Sequence, residues 1–312
     1  MAKRRRNNCR GLNGILLLDK PAGYTSNQAL QKVKRLYEAC KAGHTGSLDP
    51  IATGLLPLCF GEATKVSQFM LDSDKRYWTR IQLGVETRTY DSEGEVVATR
   101  PVNVSKRDVG RELKKFTGEI EQLPPMYSAV KYSGESLYKL ARKGIEIERR
   151  PRTVTIYELR LEAFDGEFIE LDMSCSKGTY VRTVAQDLGQ NLGCGAHVVA
   201  LRRLQVGDFG IEEAVTLEAL EAMPPEERDA QLLPVDDALQ DLPEVSLTSL
   251  ATHYLLQGQV VSALHSHSPG WVRLYEEGER FLGMGEVLDD GRVAPKRLML
   301  NAHQVVETEQ KA

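Results

Sequence analysis

Apolar positions along the chain change period several times, and each change marks an element. Gly14 to Lys20 is a short apolar run that predicts a buried strand, and Pro21-Ala22-Gly23 predicts the turn after it. Ser26 then stands as an N-cap before a helix whose apolar face is Ala29, Val33, Leu36 and Tyr37. Helical spacing returns over Glu62 to Leu71, and again after Ser105, where Val109, Leu113 and Phe116 share one face. Tyr77 to Leu83 predicts a strand with a mixed polar face carrying Trp78 and Arg80. Val154 to Ala163 alternates, Asp165-Gly166 predicts a hairpin turn, and Phe168 to Ser174 returns. Thr179 to Leu188 switches back to helical spacing.

Strands mixed with helices, without a regular βαβ repeat, predict an α+β fold in which helices flank a mixed or antiparallel sheet. Met223-Pro224-Pro225-Glu226-Glu227 and Leu242-Pro243 punctuate the chain ahead of short, glycine-bounded strands at Trp271 to Tyr275 and Phe281 to Val287. The expected organisation is a basic tail over residues 1–10, a main domain over 11–244 and a small, mostly β module over 245–312.

A net charge of −4 over 312 residues argues against a nucleic-acid partner until its distribution is read. Residues 211–250 hold eleven acidic side chains against Arg228 alone, a net of −10, and residues 251–312 add −2. The first 210 residues therefore stand at +8, opened by Lys3, Arg4, Arg5, Arg6 and Arg10. Attraction to a polyanion follows local potential, so a basic body suits RNA. The acidic stretch reads as a solvated helical face and linker.

No apolar stretch approaches the roughly 20 residues that span a bilayer. The basic N-terminus lacks the apolar core of a secretory signal, and the expected location is the cytoplasm. Cys9, Cys40, Cys59, Cys175 and Cys194 are dispersed and include no Cys-x-x-Cys pair, which argues against a disulfide framework and a structural zinc site. His265 and His267 have no second ligand pair at recognisable spacing and read as an exposed loop, so no metal is expected.

The candidate chemistry centres on Lys41-Ala42-Gly43-His44-Thr45-Gly46-Ser47-Leu48-Asp49-Pro50. Gly43 and Gly46 allow positive φ or close approach, Pro50 fixes the turn, and the apolar run after it anchors the loop in a core. A carboxylate so held is a candidate nucleophile or base, with an imidazole upstream at His44. Asp-Pro is also an ordinary turn pair, so the segment alone does not decide.

Four blocks in order do decide. Gly14-Ile-Leu-Leu-Leu-Asp-Lys-Pro-Ala-Gly23, Gly43-His-Thr-Gly-Ser-Leu-Asp-Pro50, Asp74-Lys-Arg-Tyr77 and Lys177-Gly-Thr-Tyr-Val-Arg-Thr183, with a weaker Ala200-Leu-Arg-Arg203, resemble the bacterial tRNA pseudouridine synthase B family over most of residues 11–210. Ser47 departs from it, standing where the family more often has alanine.

The resemblance implies a pseudouridine-synthase-like fold with a PUA-like RNA-binding module at the C-terminus. It implies isomerisation of uridine 55 in the T loop of tRNA, by an isomerase (an intramolecular transferase) that uses no cofactor. Asp49 is then the essential carboxylate, adding covalently to the substrate or removing a sugar proton. Arg182 pairs with it. Tyr77 stacks on the flipped uracil and assists proton transfer, Tyr180 packs beside Asp49, His44 aids flipping, and Leu201 lines the pocket. Lys20 supports the loop or meets phosphate, and Arg149, Arg150, Arg152, Arg202 and Arg203 are candidate phosphate contacts. The implied partner is the T-arm of tRNA, with no membrane, no obligate protein partner and a monomeric enzyme.

Two other classes compete. An RNA-folding protein would need no intact Asp49, Tyr77 and Arg182. A glycoside hydrolase would need a second carboxylate about 5 to 9.5 Å from the first, and no acidic residue stands out beside the Asp49 loop in sequence.

Overall fold

A computed structural model describes residues 9–263 and 268–299. His265, His267 and the tail up to residue 8 lie outside the described residues. The chain runs β1 (Gly14–Lys20), α1 (Ser26–Leu36), β2 (Ala42–His44), β3 (Thr53–Phe60), α2 (Ser67–Asp72), β4 (Lys75–Leu83), β5 (Val85–Thr87) and β6 (Val96–Thr99). It continues through α3 (Lys106–Leu113), β7 (Gly118–Gln122), β8 (Lys131–Tyr132), β9 (Glu135–Ser136), α4 (Leu137–Arg142), β10 (Arg152–Phe164), β11 (Phe168–Cys175), α5 (Val181–Asn191) and β12 (Ala196–Val206).

Among the described residues the main sheet has ten strands, in the order Val215–Thr216, β1, β3, β12, β4, β11, β10, β7, with β2 added to β3 and Phe209–Gly210 added to β12. β1–β3 is one antiparallel block and β12–β4–β11–β10–β7 another. The blocks meet where β3 and β12 pair in parallel over Arg202↔Thr53 and Arg203↔Gly54. The mixed sheet is thus mostly antiparallel, as the pattern predicts. β12 itself is not legible, because its alternation is broken by the paired arginines.

β1 shows why its sequence is continuously apolar. Leu16 and Leu18 join the core with Val33 of α1 and Val184 of α5, while Ile15 and Leu17 pack on the other side with Met70, Tyr275 and Phe281. A strand buried on both faces needs no polar alternation. The second cluster also ties the C-terminal unit to the sheet. That unit is a five-stranded sheet in the order Glu244–Leu247, Gly270–Glu276, Arg280–Val287, Arg292–Leu298, Val261–Ser262, with a helix at Ser249–Leu256. No helix among the described residues is long and apolar enough to cross a membrane.

Three local readings change. Thr25, not Ser26, is the N-cap of α1, because its hydroxyl accepts from the Gln28 amide and Gln28 returns a bond to the Thr25 amide. The Glu62–Leu71 helix is broken into a 3₁₀ turn over Gly61–Lys65 and the short α2, with Val66 between them. Cys9 and Cys40 form a disulfide, which the dispersed spacing did not suggest; they are brought together by pairing of Arg10 with Ala39. Cys59, Cys175 and Cys194 are buried free thiols.

Candidate active site

The loop that carries Asp49 is fastened on both sides of that residue. Ser26 is buried at the start of α1, where its hydroxyl accepts from the Leu48 amide at 2.7 Å and donates to the Leu48 carbonyl at 3.1 Å. The Gly23 amide donates to the Pro50 carbonyl at 2.8 Å, so the turn after β1 grips the far side. Beneath the loop runs Arg203, whose Nε donates to the Leu55 carbonyl and whose Nη2 donates to the Gly46 carbonyl. Gly46 does adopt positive φ, at 101°, whereas Gly43 lies in β2 without it. The more demanding glycine is Gly54, at φ 99°, against the Arg203 backbone.

α5 brings the counter-charge. Arg182, in its first turn, is only 4% exposed. Its Nε lies 2.9 Å from Asp49 Oδ2 and its Nη2 donates to Asp49 Oδ1 at 3.0 Å, a side-on fork. Nη2 also donates to the Tyr127 carbonyl at 2.8 Å, and Nη1 to the Thr89 carbonyl at 3.0 Å. Asp91, buried, stands 3.4 Å from Nη1. The Asp91 carboxylate also accepts from the Thr89 hydroxyl and the Glu93 amide.

The Asp49 side chain keeps 37% of its surface open, and protein encloses the rest. That enclosure pushes its carboxyl above the ordinary 3.8, Asp91 adds to the rise, and Arg182 and Lys20 oppose it. An aspartate held by a guanidinium fork is oriented, and about a third of its side chain remains accessible.

Lys20 has no exposed surface and is not a surface phosphate contact. Its ammonium donates to the carbonyls of Pro21 and Tyr24, and burial pulls its pKa down to about 8 against the opposing attraction of Asp49. Tyr77 projects from β4, partly buried, and packs against the main core. Burial raises its phenol above the ordinary 10, and neighbouring Arg203 moderates the rise. The residues before it anchor it: Lys75 donates to the Met70, Leu71 and Ser73 carbonyls at the end of α2, and Arg76 forks onto Asp172.

His44 closes β2 with its imidazole pKa lowered by burial and then by Arg203. Burial thus disfavours its charged form, and its Nδ1 is buried without a hydrogen-bond partner. Leu201 is buried on β12 and its carbonyl accepts from the Thr53 hydroxyl. Tyr180 is the N-cap of α5, two residues before Arg182, with the Arg152 guanidinium 5.6 Å over its ring.

The structure therefore gathers Asp49, Arg182, Lys20, Tyr77, His44 and Leu201 around the β3–β12 junction, with Tyr180 at the head of α5. One of the candidate phosphate contacts, Arg203, is corrected. Arg203 is 1% exposed and bonded to carbonyls, and Arg202 forks onto Asp19. Adjacent residues on a strand face opposite ways, so one arginine of the pair had to turn inward.

Sequence reading missed Asp91 and the Ser26 clamp. Asp91 lies in an Asp-Ser-Glu-Gly turn that looks like any solvated turn. It is a second carboxylate beside Asp49, far from it in sequence. Its link to the same guanidinium as Asp49 makes it a partner of Arg182 rather than a free acid, while Glu93 lies near enough to both to have its own carboxyl raised, by burial first and then by Asp91 and Asp49.

Comparison with known proteins agrees with this arrangement. Residues 34–181 match the family model described as TruB family pseudouridylate synthase (N terminal domain). Residues 182–240 match the tRNA pseudouridylate synthase B C-terminal domain, and residues 243–299 match Pseudouridine synthase II TruB, C-terminal. The chain is 52% identical over 323 residues to tRNA pseudouridine synthase B of Tolumonas auensis, with 100% of each covered. It is 54% identical over 294 residues to the protein of that name from Pseudomonas aeruginosa, covering 93% of this chain and 97% of the other. Among solved structures, a chain of a Cbf5-Nop10-Gar1 complex matches with TM-score 0.68 and 27% identity over 88% of this chain and 78% of that one. A chain of an H/ACA RNP bound to a substrate RNA containing 2′-deoxyuridine shares the fold, with TM-score 0.70 and 23% identity over 93% and 86%. The fold is the pseudouridine-synthase one, with a PUA-like sheet unit at the C-terminus.

Proposed function

Because the chain belongs to the tRNA pseudouridine synthase B family, we propose that it converts uridine 55 in the T loop of tRNA to pseudouridine, with Asp49 as the essential carboxylate. The observation that carries the reading is the Asp49–Arg182 fork on a carboxylate that stays partly accessible. Pseudouridine formation breaks the N1–C1′ bond, turns the uracil and joins C5 to C1′. C5 gives up a proton and N1 gains one, so the atoms balance without a redox partner or cofactor.

A uridine stacked in a folded loop is out of reach and must be flipped into the pocket. Tyr77 offers its ring to the uracil, and its raised phenol stays protonated at neutral pH. His44 contributes shape and contact where the base leaves its stack. Leu201 and Tyr180 line the pocket, and buried Lys20 offsets the charge of Asp49. Arg182 keeps the carboxylate ionised and aimed, whether it adds to the substrate or removes a sugar proton. The main domain over 11–244 performs the isomerisation and the 245–312 module grips RNA. The enzyme works as a cytoplasmic monomer.

Tritium release from C5-tritiated uridine in an unmodified T-arm hairpin tests this. Release by wild type, and none by Asp49→Asn with RNA binding retained, is the expected result. Equal turnover by Asp49→Asn would sink the carboxylate role. Binding without any release would favour an RNA-folding protein, and liberated uracil would favour a hydrolase.

A further inference from the structure

We propose that Gln122 is the positioning residue for Tyr180, and that it works with Arg152 from the opposite strand. The inference rests on the proposed role of Tyr180 at the pocket. α5 begins without a side-chain cap: Tyr180 occupies the N-cap position with extended backbone, φ −102° and ψ 108°, and no capping side-chain bond of its own. Its orientation must come from elsewhere.

Gln122 ends β7 and is 1% exposed. Its Oε1 accepts from the Tyr180 amide at 3.0 Å, and its Nε2 donates to the Tyr180 carbonyl at 3.3 Å. The side chain thus treats Tyr180 as a strand partner would, using both backbone groups of one residue 58 positions away. Only a group that donates and accepts at fixed spacing can do this, and a primary amide is the side chain that offers it. Arg152 is the cross-strand partner of Gln122, and its guanidinium lies over the Tyr180 ring. One strand pair therefore fixes the backbone of Tyr180 and covers one face of its aromatic ring.

This arrangement also lies at a branch of the fold. After Gln122 the chain leaves the sheet for residues 123–151 and returns at Arg152. Tyr127 within that excursion gives its carbonyl to Arg182, two residues beyond Tyr180. Gln122 is the last sheet residue before the excursion, and both its bonds go to Tyr180.

The test is single-turnover tritium release at saturating enzyme, where the rate does not depend on the folded fraction, alongside T-arm affinity. Gln122→Met keeps the length and loses both bonds; Gln122→Glu keeps the shape and loses the donor. Whichever variant folds is expected to slow turnover about tenfold or more, as a misplaced pocket group does, with affinity changed less than about threefold. In a Tyr180→Ala background the same substitution is expected to cost less than about twofold, because residues acting as one unit are not additive. Full additivity, unchanged turnover, or a loss confined to affinity would overturn the role. Wild type and Asp49→Asn are run in parallel. A silent wild type overturns the functional reading and this role with it, while an active wild type with an unaffected Gln122 variant overturns this role alone.

Discussion

Arg182 reaches across 133 residues of sequence to hold Asp49 from the side, with Nε 2.9 Å from one carboxylate oxygen and Nη2 3.0 Å from the other. Its third nitrogen faces Asp91 and the Thr89 carbonyl. One buried guanidinium thereby orders a carboxylate from the Asp49 loop, another from the 89–93 turn, and the Tyr127 carbonyl. Five fixed donors in a plane allow this, and an ammonium would not.

Arg182→Lys therefore separates charge from geometry. Lysine keeps the positive charge but loses the fork and the reach to Thr89 and Tyr127. A group displaced by about 1 Å from its working geometry costs about a hundredfold, so single-turnover rate should fall by about that factor. T-arm affinity should move only a few fold, since Arg182 is buried and not part of the open surface. Near-normal turnover by the lysine variant would mean that charge alone suffices.

The pH dependence follows from the same group. Turnover requires ionised Asp49, whose folded pKa is raised above 3.8, chiefly by burial and further by Asp91. Activity should fall as pH drops through a value above the ordinary 3.8 of an aspartate. Asp91→Asn removes one raising charge, so its acid limb should move to lower pH, whatever happens to the maximal rate. Burial outweighs the Arg182 fork, so the stability sign is opposite to that of an acid whose pKa is held low. A raised folded pKa adds stability at low pH that is lost as pH rises through it. Asp49→Asn should therefore match or exceed the wild-type Tm at pH 7, with the difference shrinking towards pH 4. A fixed acid limb in Asp91→Asn would remove the electrostatic link.

Much of this was legible from pattern, for reasons that particular elements show. β1, β10, β11 and α3 each carry their own periodicity and a turn or cap signal, so local sequence is enough. β12 does not, because Arg202 and Arg203 interrupt its apolar alternation while each finds a buried or bridging partner. The Asp49–Arg182 pair was legible through motif resemblance, since no local rule links residues so far apart. Asp91 was hidden in an ordinary polar turn. The roles of Ser26 and Arg203 depend on which backbone groups the fold brings beside them, information that sequence spacing does not contain.

Ser26 offers a test of how the loop is held. Its hydroxyl satisfies both the amide and the carbonyl of Leu48, immediately before Asp49. Ser26→Ala leaves two buried backbone groups unpaired, at about 1–3 kcal/mol each. The expected result is a lower Tm and, well below that Tm, a slower single-turnover rate with T-arm affinity preserved. A Tm loss with no change in rate would make Ser26 a stability residue only.

Gly54 tests the junction on which the whole site rests. It pairs with Arg203 where β3 meets β12, at φ 99°, and a Cβ there would stand 2.3 Å from the Arg203 carbonyl oxygen and 2.8 Å from its amide nitrogen. Neither atom can swing away, because both belong to the strand that presents Leu201. Gly166 provides the control. It has φ 101° in the hairpin between β10 and β11, and nothing lies within 4 Å of a Cβ there. Both alanine variants incur the positive-φ strain of about 1–3 kcal/mol, but only Gly54→Ala adds an overpacking cost, about 1–3 kcal/mol more. Thermal unfolding should therefore rank wild type above Gly166→Ala and Gly166→Ala above Gly54→Ala. Turnover measured below both transitions should fall in Gly54→Ala and stay near wild type in Gly166→Ala, because the forced separation of β3 from β12 moves Asp49 on one side against Tyr77 and Leu201 on the other. Equal Tm losses in the two variants would show that the strands part without cost.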